Sequence, residues 1–226
     1  MRLIKQQLSI YLALGCLILA GCSTTPSSVS QKKPTEKPPA PTPVAVEVDR
    51  IDMSTLAPVT DSSPKEEIFH YAIALMTNGR YQEAETKLLT LTHKHPELAG
   101  PFTNLGISYF HSDQFDKAID AFNQSLTLKP ANPVAYDYLA RIHRDSGKFD
   151  IAQEHYLKAI EADANYAPAQ RNLGILYDLY LGKPIEAIKH YQRYLALIDK
   201  TDRQVSIWVK DLTNRTKALQ SAKESN

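Results

Sequence analysis

Apolar and polar positions recur in the same order in four segments of the chain. The segments are 70–96, 104–130, 138–164 and 172–199. The first three are in register at a spacing of 34 residues, as the equivalent positions Ala84, Ala118 and Ala152 show. The fourth gains one residue before Gly182, so Ala187 lies 35 residues after Ala152. A period of this length indicates a stack of structural repeats.

Small residues mark one position in each half of the repeat. They are Ala72, Gly106, Ala140 and Gly174 in the first half, and Ala84, Ala118, Ala152 and Ala187 in the second. Small side chains at facing positions let two antiparallel helices approach closely. Gly79 and Gly147 fall in the turn between the halves. The large anchors of the second half are Phe122, Tyr156 and Tyr191.

This pattern resembles the tetratricopeptide repeat, a helix–turn–helix unit of 34 residues, and the resemblance covers about residues 65–200. It implies an all-α fold: a right-handed α-solenoid of four repeats over residues 64–200, with a C-terminal capping helix in 201–226. The predicted repeats span 65–98, 99–132, 133–166 and 167–201. The fourth repeat departs from the family's pattern, because Pro184 replaces the aromatic residue after the turn and Asp199 replaces the closing proline.

Both ends of the array carry helix-start signals. Residues 63–66 (Ser-Pro-Lys-Glu) predict a capping box with Pro64 at the first helical position, and residues 201–204 (Thr-Asp-Arg-Gln) predict a second capping box. The apolar residues predicted to share one face of the last helix are Val205, Trp208, Leu212 and Leu219. Because the last repeat of a solenoid otherwise exposes its apolar side, we expect this helix to be a cap and Trp208 to be core.

The N-terminus has the order of a signal peptide. Arg2 and Lys5 precede an apolar stretch of 14 residues, 8–21, which is shorter than the roughly 20 residues of a membrane span. The stretch ends in Leu-Ala-Gly-Cys at 19–22, which resembles the bacterial lipobox. The resemblance implies cleavage of a signal peptide, 1–21, and lipidation of Cys22; the alternative is an ordinary signal peptide with an incidental cysteine. Ser23 follows, and the family's sorting rule then favours the inner leaflet of the outer membrane.

Residues 22–63 are predicted to be a disordered, lipidated tether. Positions 23–63 hold seven prolines and thirteen serines or threonines, with no aromatic residue and no glycine. Such a composition does not bury enough apolar surface to offset the entropy of ordering the chain. One short β-prone stretch, 44–48 (Val-Ala-Val-Glu-Val), could instead dock on a partner.

Signals for other chemistry are weak. Lys and Arg number 26 and Asp and Glu 25, so no basic excess indicates nucleic acid. Both cysteines, Cys16 and Cys22, lie in the first 22 residues, so the rest of the chain has no thiol for a disulfide, a metal site or a nucleophile. His93 and His95 are two apart and do not share a helix face. We expect no enzymatic activity, cofactor, metal or small-molecule substrate.

In the family's register, the first helix of each repeat lines a concave groove that binds proteins. The groove positions here are Phe69, Ile73, Met76, Thr103, Ile107, Phe110, Asp137, Arg141, Arg144, Arg171, Ile175 and Asp178. The N-terminal half is apolar and the C-terminal half is charged. The Lys and Asn residues of the family's two-carboxylate clamp are absent from this register.

Each half of the groove has two interpretations. Arg141 could pair with Asp137 and Asp145 along its own helix, or it could read an anionic partner segment together with Arg144 and Arg171. The apolar half could be covered by the returning tether or by a partner peptide.

The function predicted from these patterns is that of a lipid-anchored periplasmic adaptor. It would bind protein partners in the groove and position a cell-envelope machine without catalysing a reaction. The alternatives within this class are a type IV pilus assembly factor or secretin pilotin, an accessory of a TonB-type transport system, and a scaffold for peptidoglycan enzymes. An enzyme with an unrecognised site is the alternative from another class.

Overall fold

The computed structural model describes residues 51–55 and 59–224, so the predicted signal peptide, Cys22 and residues 22–50 of the predicted tether lie outside the described residues. The described part contains nine α-helices and no strand, which confirms the all-helical prediction. The helices are α1 Lys65–Thr77, α2 Tyr81–Lys94, α3 Ala99–His111, α4 Phe115–Leu128, α5 Pro133–Asp145, α6 Phe149–Ala162, α7 Ala167–Ile175, α8 Pro184–Leu197 and α9 Arg203–Glu224. A short 3-10 turn, Met53–Thr55, precedes them.

The helices form a solenoid of consecutive pairs. The odd-numbered helices α1, α3, α5 and α7 begin 34 residues apart, at 65, 99, 133 and 167. Each packs on the even-numbered helix that follows it, and α9 packs on α8. The repeated alanines of the even-numbered helices, Ala84, Ala118, Ala152 and Ala187, are fully buried. The core therefore runs along the stack between the members of each pair.

The two glycines at the small position of the odd-numbered helices, Gly106 and Gly174, lie against large aromatic side chains. A Cβ atom added to Gly106 would lie 2.6 Å from Phe122 Cε1, and one added to Gly174 would lie 2.6 Å from the Tyr191 ring. Each glycine thus makes room for the aromatic anchor of the next helix.

The turns after α1, α3 and α5 share one helix-ending motif. After α3, the Gln114 amide donates to the Tyr109 carbonyl at 2.9 Å and the Asp113 amide donates to the Phe110 carbonyl at 3.2 Å, which is the Schellman pattern. The motif requires a left-handed residue, and Gly79 and Gly147 supply it with φ values of 75° and 76°. Asp113 takes this conformation in the second repeat, with φ 57°.

The extra residue of the fourth repeat is absorbed by a π-helical turn, Leu176–Tyr180, that continues α7. The Leu181 amide donates to the Leu176 carbonyl, five residues back, at 3.0 Å. Gly182 follows with φ 61°, and α8 begins 35 residues after α6. A π-turn holds one more residue than an α-turn, so the pairing of the two helices is kept.

Both predicted capping boxes differ from the structure. No side chain caps α1: the Ser63 hydroxyl accepts a hydrogen bond from the Thr60 amide at 3.1 Å, away from the helix. The N-cap of α9 is Asp202, one residue later than predicted, and its carboxylate accepts from the Val205 amide at 3.0 Å. It also accepts from the Tyr194 hydroxyl at 3.0 Å, which fixes the start of α9 to α8.

Only the first half of α9 packs on the array. Val205 and Leu212 are buried, and Trp208 is half-buried with its ring centre 5.5 Å from that of Tyr191. Leu219 is 63% exposed, so its predicted place on the packed face is wrong. The packed face ends two turns earlier, at Leu212.

Residues 51–55 and 59–63, which we expected to belong to the disordered tether, form a strap against the first repeat. Met53 and Val59 pack against the core. The strap's carbonyl groups accept hydrogen bonds from side chains at the end of α1 and along α2. These bonds are Asn78 Nδ2 to the Ile51 carbonyl at 2.9 Å, Lys87 Nζ to the Val59 carbonyl at 3.3 Å, and Lys94 Nζ to the Asp61 carbonyl. Composition alone missed this order because it does not report partners supplied by the repeats.

Candidate protein-binding groove

Eleven of the twelve predicted groove residues lie on the odd-numbered helices, and Asp178 lies in the π-helical turn that continues α7. Nine of the twelve are partly exposed. The other three, Thr103, Asp137 and Ile175, are only 8%, 2% and 2% exposed. Burial removes these three side chains from the surface that a partner can contact. The remaining nine divide into an apolar half on α1 and α3 and a charged half on α5 and α7.

The apolar half consists of half-buried side chains. Its members are Phe69, Ile73, Met76, Ile107 and Phe110. Most of them pack with one side on the buried core of the first three repeats. Beside Phe69, an open cavity of about 390 Å³ lies between α1, the end of α2 and the start of α3. Its apolar walls are Phe69, Leu91, Leu98 and Pro101.

Thr103 belongs to a buried polar network that joins the second and third repeats. Its hydroxyl lies 2.7 Å from the Ser125 hydroxyl, and Asn132 Nδ2 donates to both oxygens at 2.9 Å. The Asn132 side-chain oxygen Oδ1 accepts from the Ala135 amide at 3.4 Å and caps α5. Thr103 therefore contributes to the stacking of repeats.

Arg141 lies where the two halves of the groove meet. Its guanidinium carbon is 4.4 Å from the centre of the Phe110 ring and 4.5 Å from that of Tyr138. Cation–π contacts on two rings hold the planar group in one orientation while its residue stays partly exposed. Tyr138 was missed in the sequence, although an aromatic residue three positions before an arginine on a helix is a detectable signal.

Arg144 is the arginine that pairs with Asp145. Its Nε lies 2.9 Å from the Asp145 carboxylate, and its Nη1 lies 3.4 Å from the Tyr156 hydroxyl. The anticipated pairing of Arg141 with Asp137 and Asp145 along the helix is not formed among the described residues. Arg144 is thus paired with residues of its own repeat, whereas Arg141 forms no ion pair among the described residues.

Asp137 is a buried carboxyl beneath the charged half. It accepts a hydrogen bond from Asn172 Nδ2 at 2.9 Å. Burial raises its pKa above the ordinary value, against the opposing effects of that hydrogen bond and of Arg141 and Arg144. The carboxyl is therefore poorly suited to neutralising the arginines above it.

Arg171 and Asp178 lie near α9. The Arg171 guanidinium carbon is 5.7 Å from the centre of the Trp208 ring, and its Nη2 is buried without a hydrogen-bond partner in the described part of the chain. Asp178 lies 4.0 Å from Arg215 of α9. Burial raises the pKa of Asp178 even though Arg215 lowers it. Trp208, which we had assigned to the core alone, also flanks the groove.

The described residues contain neither a cluster of metal ligands nor a helix that could span a membrane. No group of three or more His, Cys, Asp or Glu side chains there could hold a metal ion. No helix between Lys65 and Glu224 has the length and apolar character to cross a membrane.

Two family models, both described as tetratricopeptide repeat, match this chain over residues 100–132 and 132–200. The chain contains tetratricopeptide repeats. The matches cover the second, third and fourth helix pairs, whose odd-numbered helices carry most of the charged groove residues.

One curated relative is similar to this chain in sequence, and two solved structures are similar to it in fold. The relative, the probable UDP-N-acetylglucosamine--peptide N-acetylglucosaminyltransferase SPINDLY of Arabidopsis thaliana, is 36% identical over 121 residues, which are 54% of this chain. The chain spans only 13% of that protein's length. A crystal structure of MamA is 25% identical with a TM-score of 0.53, covering 59% of this chain and 77% of MamA. Pseudomonas aeruginosa pilF is 16% identical with a TM-score of 0.61, covering 71% and 72%, and shows the fold alone.

Proposed function

We propose that this chain is a lipid-anchored adaptor of the bacterial cell envelope. It binds segments of partner proteins in the groove of its repeats and positions components of an envelope machine. It catalyses no reaction. Pilus assembly, TonB-type transport and the organisation of peptidoglycan enzymes are the candidate systems.

The observation that carries the proposal is the row of partly exposed apolar and arginine side chains on the odd-numbered helices. Ile107, Phe110 and Arg141 follow one another from α3 to α5, each supported from below by the core or by an aromatic ring. A surface that is both apolar and rigidly held favours a protein segment as ligand.

In keeping with the proposed lack of catalysis, two of the charged groove residues have partners within the repeats or α9. Arg144 is bound to Asp145 and Asp178 lies beside Arg215, so both have structural partners. The similarity to a glycosyltransferase extends over 13% of that enzyme's length.

Site-specific photocrosslinking in intact cells tests the groove. A photoreactive residue at Ile107 lies in the apolar half, whereas one at Gln124 lies on an exposed face of α4. We expect discrete protein adducts from position 107 and none from position 124. Equal labelling from both positions, or no adduct from any groove position, would contradict the adaptor function.

Fractionation tests the anchor separately. Cys22→Ala removes the sulfur that the lipid is proposed to modify. We expect the variant to leave the outer-membrane fraction or to accumulate unprocessed, while Cys16→Ala fractionates normally. An unchanged distribution of Cys22→Ala would contradict lipid anchoring.

A further inference from the structure

We infer that the charged half of the groove binds an extended, carboxylate-rich segment of the protein partner, with the guanidinium groups of Arg141 and Arg171 as its readers. This inference rests on the proposed adaptor function and specifies the chemistry of the ligand. It assigns the two arginines a role that differs from the structural role of Arg144.

Arg141 is oriented but has no charged partner. The rings of Phe110 and Tyr138 lie 4.4 and 4.5 Å from its guanidinium carbon. Among the described residues no carboxylate forms an ion pair with it: Asp145 pairs with Arg144, and the buried Asp137 accepts its hydrogen bond from Asn172. Arg141 stays partly exposed beside the two rings, which are nearly perpendicular to each other. The exposed edge of a guanidinium matches a carboxylate in a bidentate arrangement.

Arg171 has an unsatisfied donor at the other end of the charged half. Its Nη2 is buried and has no hydrogen-bond partner among the described residues. A buried donor without an acceptor is costly, and a donor on a charged group more so. Arg171 as a whole stays partly exposed and forms no ion pair within the described part of the chain, so its charge is available to a ligand carboxylate. The Trp208 ring lies 5.7 Å from its guanidinium carbon.

The acids around the two arginines do not neutralise them. Asp137 is buried in an environment that disfavours its charged form, and Asp178 is shared with Arg215. The charged half therefore keeps a positive surface that is complementary to an acidic ligand. A peptide fits better than a bare polyanion, because Phe110 contacts Arg141 and belongs to the apolar half, which can accept an apolar residue next to the acidic ones.

Peptide binding by the full chain, purified in detergent, tests the inference. The probe is a fluorescein-labelled octapeptide, Leu-Leu followed by six residues alternating Glu and Ser, and the control peptide has Gln in place of each Glu. We expect fluorescence anisotropy to show at least tenfold tighter binding of the Glu peptide, with an affinity that falls as salt is raised.

Variants of the groove arginines test where the Glu peptide binds. Arg141→Gln and Arg171→Gln should each weaken the Glu peptide at least fivefold, whereas Arg193→Gln on an exposed part of α8 should leave it unchanged. Because Arg141→Gln also removes a stacked group, Arg141→Lys serves as a second variant: it keeps the charge but loses the planar edge, and should bind between wild type and Gln. Circular dichroism confirms that each variant is folded.

Several results would overturn the inference. They are equal binding of the Glu and Gln peptides, equal losses in Arg193→Gln and Arg171→Gln, or competition by heparin at concentrations that match those of unlabelled Glu peptide. The last result would indicate a general polyanion surface. If crosslinks from Ile107 persist while these tests fail, the adaptor function stands and only the ligand chemistry is wrong; if position 107 gives no adducts, the proposed function itself fails.

Discussion

Replacing Gly106 with alanine tests the closest contact between α3 and α4. The new Cβ would lie 2.6, 2.7 and 2.9 Å from three carbon atoms of the Phe122 ring. Carbon atoms in contact normally lie about 3.5–4.0 Å apart, so the ring or the helix must move by about 1 Å. Phe122 is fully buried, which leaves the ring little space for that movement.

Two opposing effects set the expected change in stability. Alanine in a helix interior is favoured over glycine by about 1 kcal/mol. Overpacking a rigid site costs about 1–3 kcal/mol, and a contact at 2.6 Å belongs at the upper end of that range. We therefore expect Gly106→Ala to lower the free energy of unfolding by about 1–2 kcal/mol, measured by urea denaturation followed by circular dichroism.

Gly100→Ala is the matched control. This glycine is also in α3, but its new Cβ would lie 3.6 Å from Phe69 Cζ, an ordinary contact. We expect its free energy of unfolding to stay the same or to rise by up to about 1 kcal/mol. Gly100 is the second residue of α3, where helix propensity matters less than in the interior. A loss in Gly106→Ala that is absent in Gly100→Ala therefore reports the steric contact with Phe122.

Phe122→Leu should rescue Gly106→Ala. The first repeat has Ala72 and Leu88 at the equivalent positions, and both are fully buried, so the double variant recreates a pair that this fold already accommodates. We expect a favourable coupling of at least about 1 kcal/mol in the double-mutant cycle. A neutral Gly106→Ala would refute the reasoning: α3 and α4 would then adopt the spacing that lets Ala140 face Tyr156 in the third repeat.

Four further variants probe the turns, the polar network and the buried carboxyl. Asp113→Gly should raise the free energy of unfolding by about 0.5–1 kcal/mol, because it removes a left-handed non-glycine residue, and Gly147→Ala should lower it by a similar amount in the same denaturation assay. Asn132→Ala should cost about 1–3 kcal/mol, since it removes the cap of α5 and the donor shared by two buried hydroxyls, whereas the exposed Asn165→Ala should cost less than about 0.5 kcal/mol. The stability of Asp137→Asn relative to wild type should be greatest at neutral pH, where the buried wild-type carboxyl is most often charged. The folded pKa of Asp137 is raised above its unfolded value, so wild type gains stability as pH falls from neutral toward 4, and the advantage of the variant should shrink over that range.

For each of these predictions there is a result that would contradict it. A destabilised Asp113→Gly would mean that the aspartate contributes an interaction that outweighs its conformational strain. Equal effects of Asn132→Ala and Asn165→Ala would show that the buried network is energetically neutral. A stability difference between wild type and Asp137→Asn that does not change with pH would show that the carboxyl is not desolvated.

The repeat architecture could be predicted because its determinants are local and periodic. Ala84, Ala118 and Ala152 report burial at a fixed spacing, and spacing is what a sequence displays directly. The ends were less predictable. Thr201 and Asp202 are both good N-cap residues, and the choice of Asp202 depends on the Tyr194 hydroxyl, which comes from another helix.

In the groove, the repeat register alone does not predict which side chains are exposed or how they are oriented. Register placed Phe110 and Arg141 near the same surface, but their stacking depends on Tyr138, whose orientation is set by packing between repeats. The repeat register predicts that Thr103 and Asp137 lie on the exposed side of their own helices. Both side chains are instead buried. Thr103 accepts a hydrogen bond from Asn132 in the linker to the next repeat, and Asp137 accepts one from Asn172 in the next repeat.

The π-helical turn at Leu176–Tyr180 bears on how such arrays tolerate insertions and deletions. A single added residue in a helix should rotate every later side chain by about 100° and disrupt the stack. Here the added residue is confined to one widened turn, and Ala187 and Tyr191 remain buried in their usual places. The last turn of an odd-numbered helix is thus a place where length can vary while the phase of the next helix is preserved. Repeats that differ by one residue can therefore be joined in one array, and a shift in sequence period marks the junction.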